Sequence, residues 1–259
     1  MTLTRCIART LTAGLLAATG PAMADYFPIY STWAQPGGIG SPITLTYSYS
    51  NLLDGSMINR ATGQSFSGEF LRDAFETALR DYTALLPISF VEIQDAGPLP
   101  ETGQYNPAGL ADIRVGVVPD VSSNANAYAY FPDDSGTNGL AGDIVFNASA
   151  PWTPAFYYAV AQHELGHSLG MGHAVPGNAP SFQHLTQAAG YDGPIFPLAP
   201  DAIGALQAAY GVGTGTVTPL SPVPEPSMMA MWGGGLMLML AGFGTRSRTR
   251  PENMPLAAL

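Results

Sequence analysis

The sequence predicts an α/β or α+β domain with a mixed sheet, and three observations carry that reading. Segments with period-two alternation, such as Ile43–Tyr49, take turns along the chain with segments whose apolar residues recur every three or four positions. The helical segments begin at Ser or Thr caps and end at Pro or Gly. The stretch from about residue 40 to residue 211 has the length of one domain with a proper core and contains no internal repeat.

The elements follow in order. Ile43–Tyr49 alternates as a half-buried strand does. Ser67 can cap a helix that places Leu71, Ala74, Phe75, Ala78, Leu79 and Tyr82 on one face, with Pro87 as its stop. Ser89–Gln94 and Ile113–Val118 read as further strands, and Asp143–Asn147 as another. Thr153 and Pro154 are a cap and a first helical position for the next helix. Asp201–Tyr210 is the last helix, closed by Gly211.

Both ends read as address labels. Arg5 and Arg9 precede an apolar run, Leu11–Thr19, and then Ala22-Met23-Ala24. Charge, apolar stretch and a small-x-small site in that order predict a secretory signal over residues 1–24. The only cysteine, Cys6, lies inside it. The rest of the chain therefore offers no disulfide, no cysteine nucleophile and no thiolate-ligated zinc. Residues 25–211 remain for the folded domain, followed by a Gly-, Thr- and Pro-rich linker over 212–222. The tail, 223–259, begins at Val223-Pro224-Glu225-Pro226, continues as an uncharged apolar stretch over 227–243, and ends with Arg246, Arg248 and Arg250. As a helix that stretch would be roughly 26 Å long, close to a membrane span, with the arginines holding its far end on the cytoplasmic side.

The net charge is −10, and the chain has no lysine. Only Arg60, Arg72, Arg80 and Arg114 lie between the two labels. Such a surface repels phosphate backbones, so nucleic acid is excluded as a partner.

The chemistry concentrates in the second helix. His163 and His167 are four apart and leave a helix on one face. Two imidazoles so placed can meet one ion at about 2.0–2.1 Å each. Glu164 is rotated by about 100° from His163, where it can accept a proton from water without being a ligand. Gly170 can turn the chain sharply, letting His173 return as a third ligand. Three protein nitrogens leave one position open, the mark of a catalytic and not a structural zinc site. Three of the four histidines occupy these places; His184 matches nothing.

With that motif, the chain resembles the metzincins, and within them the matrixins of the peptidase M10 group, across residues 40–211. Ala111-Asp112-Ile113, Ala127 to Pro132, Gly142-Asp143-Ile144, Pro151-Trp152-Thr153 and Asp201–Gly211 fall in the family's order. The resemblance implies a twisted, mostly parallel five-stranded sheet with three main helices, and zinc-dependent hydrolysis of protein or peptide substrates with Glu164 as general base. It also implies that Ala127–Phe131 is the edge strand that receives an extended substrate, through Ala127 and Ala129. The pocket after the cut would be lined by the segment from His173 to Pro197, including Phe196. A calcium ion would be held by Asp112 and Asp143 with the carbonyls of Gly139 and Ala141, oxygen donors suited to a hard cation. The other reading of these residues is that Asp143 caps a turn and Asp112 is a solvated strand end.

Departures from the family pattern are definite. Ile195, within Gly193 to Pro197, takes the place of a methionine beneath the zinc. Tyr128 and Val145 stand where animal matrixins carry structural-zinc histidines, so one zinc is expected. No cysteine lies between Ala24 and the first strand, which excludes thiolate latency. The tail resembles the PEP-CTERM sorting signal. That resemblance implies an exosortase-type processing enzyme, transient membrane contact, and delivery to the cell surface or exopolysaccharide. A plain C-terminal membrane anchor is the alternative. For the whole chain, the alternative to an endopeptidase is a non-catalytic zinc-binding surface or exopolysaccharide-associated protein.

Overall fold

Alternating apolar strands with short connections through helices favour parallel pairing, and a computed structural model shows it. The structure describes residues 27–94, 111–119, 121, 125–132, 139–173 and 197–220. The chain divides into two units, Met1–Pro219 and Leu220–Leu259. The signal at 1–24 and the apolar stretch at 227–243 lie outside the described residues, as do His184, Ile195 and Phe196. Among the described residues no helix is long and apolar enough to cross a membrane.

The strands are β1 (Ile43–Tyr49), β2 (Ile58–Asn59), β3 (Gln64–Ser65), β4 (Ile88–Glu92), β5 (Ile113–Val118), β6 (Ala127–Ala129), β7 (Ile144–Asn147) and β8 (Val217–Thr218). The helices are α1 (Gly68–Thr83), α2 (Pro154–Ser168) and α3 (Pro200–Tyr210). The main sheet runs β6-β7-β5-β1-β4-β8. All its pairs are parallel except β6–β7. β2 and β3 form a separate short hairpin that the alternation pattern does not announce.

Helix starts behave as their caps dictate. Ser67 Oγ accepts from the Phe70 amide at 3.1 Å, and Thr153 Oγ1 accepts from the Phe156 amide at 3.1 Å. α1 buries one apolar stripe. α2 buries every residue except Pro154, Ala155 and His163, so it has no polar face. α1 and α2 pack on one another, fastened by Tyr82 Oη donating to the Gln162 carbonyl at 2.7 Å and Tyr157 Oη to the Leu71 carbonyl at 3.1 Å. Trp152, Phe156, Tyr157, Phe146 and Phe75 fill the core around them.

The sheet has six strands where five were expected, and the extra one corrects the linker reading of 212–222. Val217 and Thr218 pair with Phe90 and Val91, and the Gly215 amide donates to the Thr83 carbonyl at 2.7 Å. At Gly215 a Cβ would come within 1.7 Å of the Ile88 carbonyl oxygen, so the composition that suggests a linker here serves a close backbone approach.

Candidate metal centre

The site is built from the C-terminal half of α2 and the turn that follows it. α2 ends at Ser168, and Gly170 takes a φ of 90°. A side chain there would also meet the Ser31 carbonyl oxygen at 1.8 Å, so only glycine fits. The segment before β1 clamps this turn. The Tyr30 amide donates to the Gly170 carbonyl at 2.9 Å, and the Gly172 amide to the Pro28 carbonyl at 2.7 Å.

The clamp brings His173 back to the helix. His167 Nε2 lies 3.0 Å from His163 Nε2 and 3.1 Å from His173 Nε2. The possible ligand atoms of all three lie within 4.8 Å of one another. Nitrogens about 2.05 Å from a tetrahedral ion would stand about 3.3 Å apart, so the trio fits one such ion. His167 Nδ1 is 2.6 Å from the Met171 carbonyl oxygen. A carbonyl only accepts, so Nδ1 carries the proton and Nε2 presents its lone pair.

Burial tunes the same groups. It lowers the His167 pKa to about 4, with the Met171 carbonyl opposing and His173 adding to the fall. It also lowers His163 well below its ordinary value, with His167 and His173 contributing. Neutral imidazoles are the form that ligates a metal. Glu164 is buried beside them, its pKa raised by burial to about 8, and its Oε2 has no hydrogen-bond partner among the described residues. A buried carboxylate oxygen left unpaired is costly unless an ion or water meets it. With three convergent imidazole nitrogens beside it, the donor set fits zinc.

A pH dependence follows for metal-free protein. Glu164 binds its proton more tightly folded than unfolded, so its contribution to stability falls as pH rises from about 4.5 towards 8. The two histidines bind protons less tightly when folded, so their contribution falls as pH drops below 6.5. The histidine contribution levels off over about one unit above pH 6.5, so from about pH 7 to 8 the Glu164 effect dominates. Urea unfolding of metal-free protein should show stability declining across that interval, and the decline should vanish in Glu164→Gln.

A cleft of about 480 Å³ opens over the site. Ala127 and Ala129 of β6 line it, together with Tyr30, Phe131 and Val160. Val160 precedes His163 by one helical turn and was legible from that spacing; Tyr30, from the segment before β1, had no sequence signal. Tyr30 and Phe131 rings meet at 5.1 Å, tilted by 60°, and Phe131 meets His167 edge-on at 5.9 Å. Met171, Leu198 and Phe27 give an apolar border to the small space beside His163. Tyr128 packs with Val118, Val121 and Val145 in a separate apolar cluster.

Three of the residues named for calcium meet protein groups. Arg114 Nη2 donates to Asp143 Oδ2 at 2.5 Å and reaches the Gly139 carbonyl at 3.3 Å. Asp112 Oδ2 instead accepts from the Thr46 amide at 2.7 Å and from Thr46 Oγ1 at 2.8 Å. A divalent cation on the same oxygens would face a guanidinium at contact distance, and the like charges repel.

A cleft over a three-histidine metal centre, with a buried carboxylate alongside and a mixed sheet behind, defines the metzincin class. Residues 56–211 match the family model described as matrixin, peptidase M10. The chain belongs to the matrixin family, which implies zinc as the ion for the three histidines. It is 29% identical over 157 residues to matrix metalloproteinase-19 of Homo sapiens, covering 54% of this chain and 26% of that one. Matrilysin of Homo sapiens is 39% identical over 118 residues, 40% and 41% of the two chains. Interstitial collagenase of Sus scrofa is 29% identical over 169 residues, 60% and 31%. The chain thus spans about a quarter to two fifths of the length of these relatives.

Proposed function

We propose that the chain is an exported zinc-dependent endopeptidase. The observation that carries this reading is the buried Glu164 carboxylate, its Oε2 without a partner among the described residues, one residue from His163 in the three-histidine cluster. A site that only stores or structures a metal has no use for that carboxylate.

When bound, zinc supplies Lewis acidity to a water molecule and to a peptide carbonyl. His167, held by the Met171 carbonyl, keeps its lone pair directed at the ion's place. Glu164 accepts the proton of the attacking water and delivers it to the leaving amine nitrogen as the C–N bond breaks. β6 ends the sheet and has β7 as its sheet neighbour. Its edge, with Ala127 and Ala129 facing the cleft, suits an extended peptide added as a further strand. Tyr30 and Phe131 form an aromatic wall beside His167 that favours apolar substrate side chains.

The test is hydrolysis of an unstructured protein such as casein by purified protein of known zinc content. Activity is expected to disappear on chelation and to return with zinc. Full activity in protein proven metal-free would reject the reading.

The same proposal extends to the chain's fate. Pro224-Glu225-Pro226, the apolar stretch and the terminal arginines support sorting by an exosortase-type enzyme and release to the cell surface. Surface-recovered protein is then expected to end near Pro226, about 33 residues and roughly 3 kDa short of Leu259. Intact mass decides between this and a plain anchor, which keeps the whole tail.

A further inference from the structure

The Gly139–Asp143 segment joins β7 to the chain beyond β6 and backs directly onto the metal-bearing helix. The Gly142 carbonyl accepts from Ser168 Oγ at 2.8 Å, and Trp33 Nε1 donates to the Ser168 carbonyl at 2.9 Å. The Asp143 carbonyl in turn accepts from the Tyr130 amide at 2.9 Å, at the end of the strand that lines the cleft. Whatever holds this segment therefore holds both β6 and the last turn of α2.

Arg114 is one of the groups that hold it. The Arg114 amide donates to Asp143 Oδ1 at 2.9 Å while its Nη2 donates to Oδ2, so a single residue grips both oxygens of the carboxylate. The same Nη2 reaches the Gly139 carbonyl. Arg114 and Asp143 side chains are 2% and 1% exposed. Arg114 Nη1 is buried and has no hydrogen-bond partner among the described residues.

We infer that Arg114 is the resident cation of this segment: its guanidinium takes the place of a divalent ion, so the loop closes without calcium. Asp143 and Gly139, two donors that the matrixin pattern assigns to calcium, both face the guanidinium. A dissociable ion stabilises only in proportion to its concentration over its dissociation constant. A cation tethered to β5 is always present, and the loop, with the site it backs, becomes indifferent to calcium in the medium.

The experiment is thermal melting of the full-length protein in zinc-containing buffer, with and without about 10 mM calcium, above the dissociation constants of weak extracellular sites. Wild type is expected to show no calcium-dependent shift. Arg114→Met, which removes the cation and leaves Asp143 buried, is expected to melt roughly 10 °C lower. Calcium, but not the same concentration of magnesium, should then recover several degrees and slow amide exchange across residues 139–143. Arg114→Lys, which keeps the charge but not the fork, should melt between the two and stay indifferent to calcium. A calcium shift in wild type or in Arg114→Lys would overturn the inference, and so would a folded Arg114→Met that ignores calcium. If Arg114→Met folds only with calcium, the expected dependence appears in its strongest form. If it folds in neither condition, the wild type and Arg114→Lys decide.

Discussion

Glu164→Gln is expected to lower kcat by about a thousandfold or more while zinc content stays at the wild-type level. The substitution keeps the volume and the packing of the buried side chain and removes only its capacity to take up a proton. Glu164 does not belong to the three-histidine cluster, so metal affinity has no reason to fall. Its Oε2 has no hydrogen-bond partner among the described residues, so the substitution breaks no bond among them at that oxygen. Parallel measurement of kcat and zinc stoichiometry separates the roles. If the variant turned over at near the wild-type rate with zinc bound, Glu164 would not be the base. If the wild type itself held zinc and hydrolysed nothing, the chain would be a zinc-binding protein without catalysis.

His167→Ala should do the reverse and lose metal and activity together. Three separate functions end with that ring. Its Nε2 lies within 3.1 Å of the other two candidate ligand atoms. Its Nδ1 pairs with the Met171 carbonyl, which would be left unsatisfied at a cost of about 1–3 kcal/mol. Phe131 would lose the ring it meets edge-on at the cleft wall. Losing a group that merely orients a ligand weakens metal binding by about 10–100-fold, so losing the ligand itself should exceed that range. Elemental analysis after dialysis against buffered zinc checks the expectation. Retention of one zinc per chain would show that His163 and His173 bind without it.

Some of this molecule is fixed by local chemistry, and that part was legible in the sequence. Ser67 and Thr153 cap helices because a hydroxyl can reach an amide three residues on, whatever surrounds them. Ile43–Tyr49 alternates because one strand has two faces. The four-residue spacing of His163 and His167 likewise puts two imidazoles on one helix face, and a glycine at position 170 permits the turn towards His173. The pairing of Pro28–Tyr30 with that turn then holds His173 beside them.

The tertiary structure decided whatever depends on residues distant along the chain. Tyr30 enters the cleft because its segment pairs with the turn at Met171, and no local pattern foretells that crossing. Residues 212–218 look like a linker by composition, yet β4 offers an open edge and Gly215 lets the backbones close on it. The family resemblance makes Asp112, Gly139, Ala141 and Asp143 an oxygen cage, and a turn cap with a solvated strand end is the other reading. Only folding brings Arg114 onto two of those donors, 25 residues from Gly139 and 29 from Asp143. Spacing within one element is enforced by the covalent chain, whereas the identity of the cation on a buried carboxylate depends on which strands become neighbours.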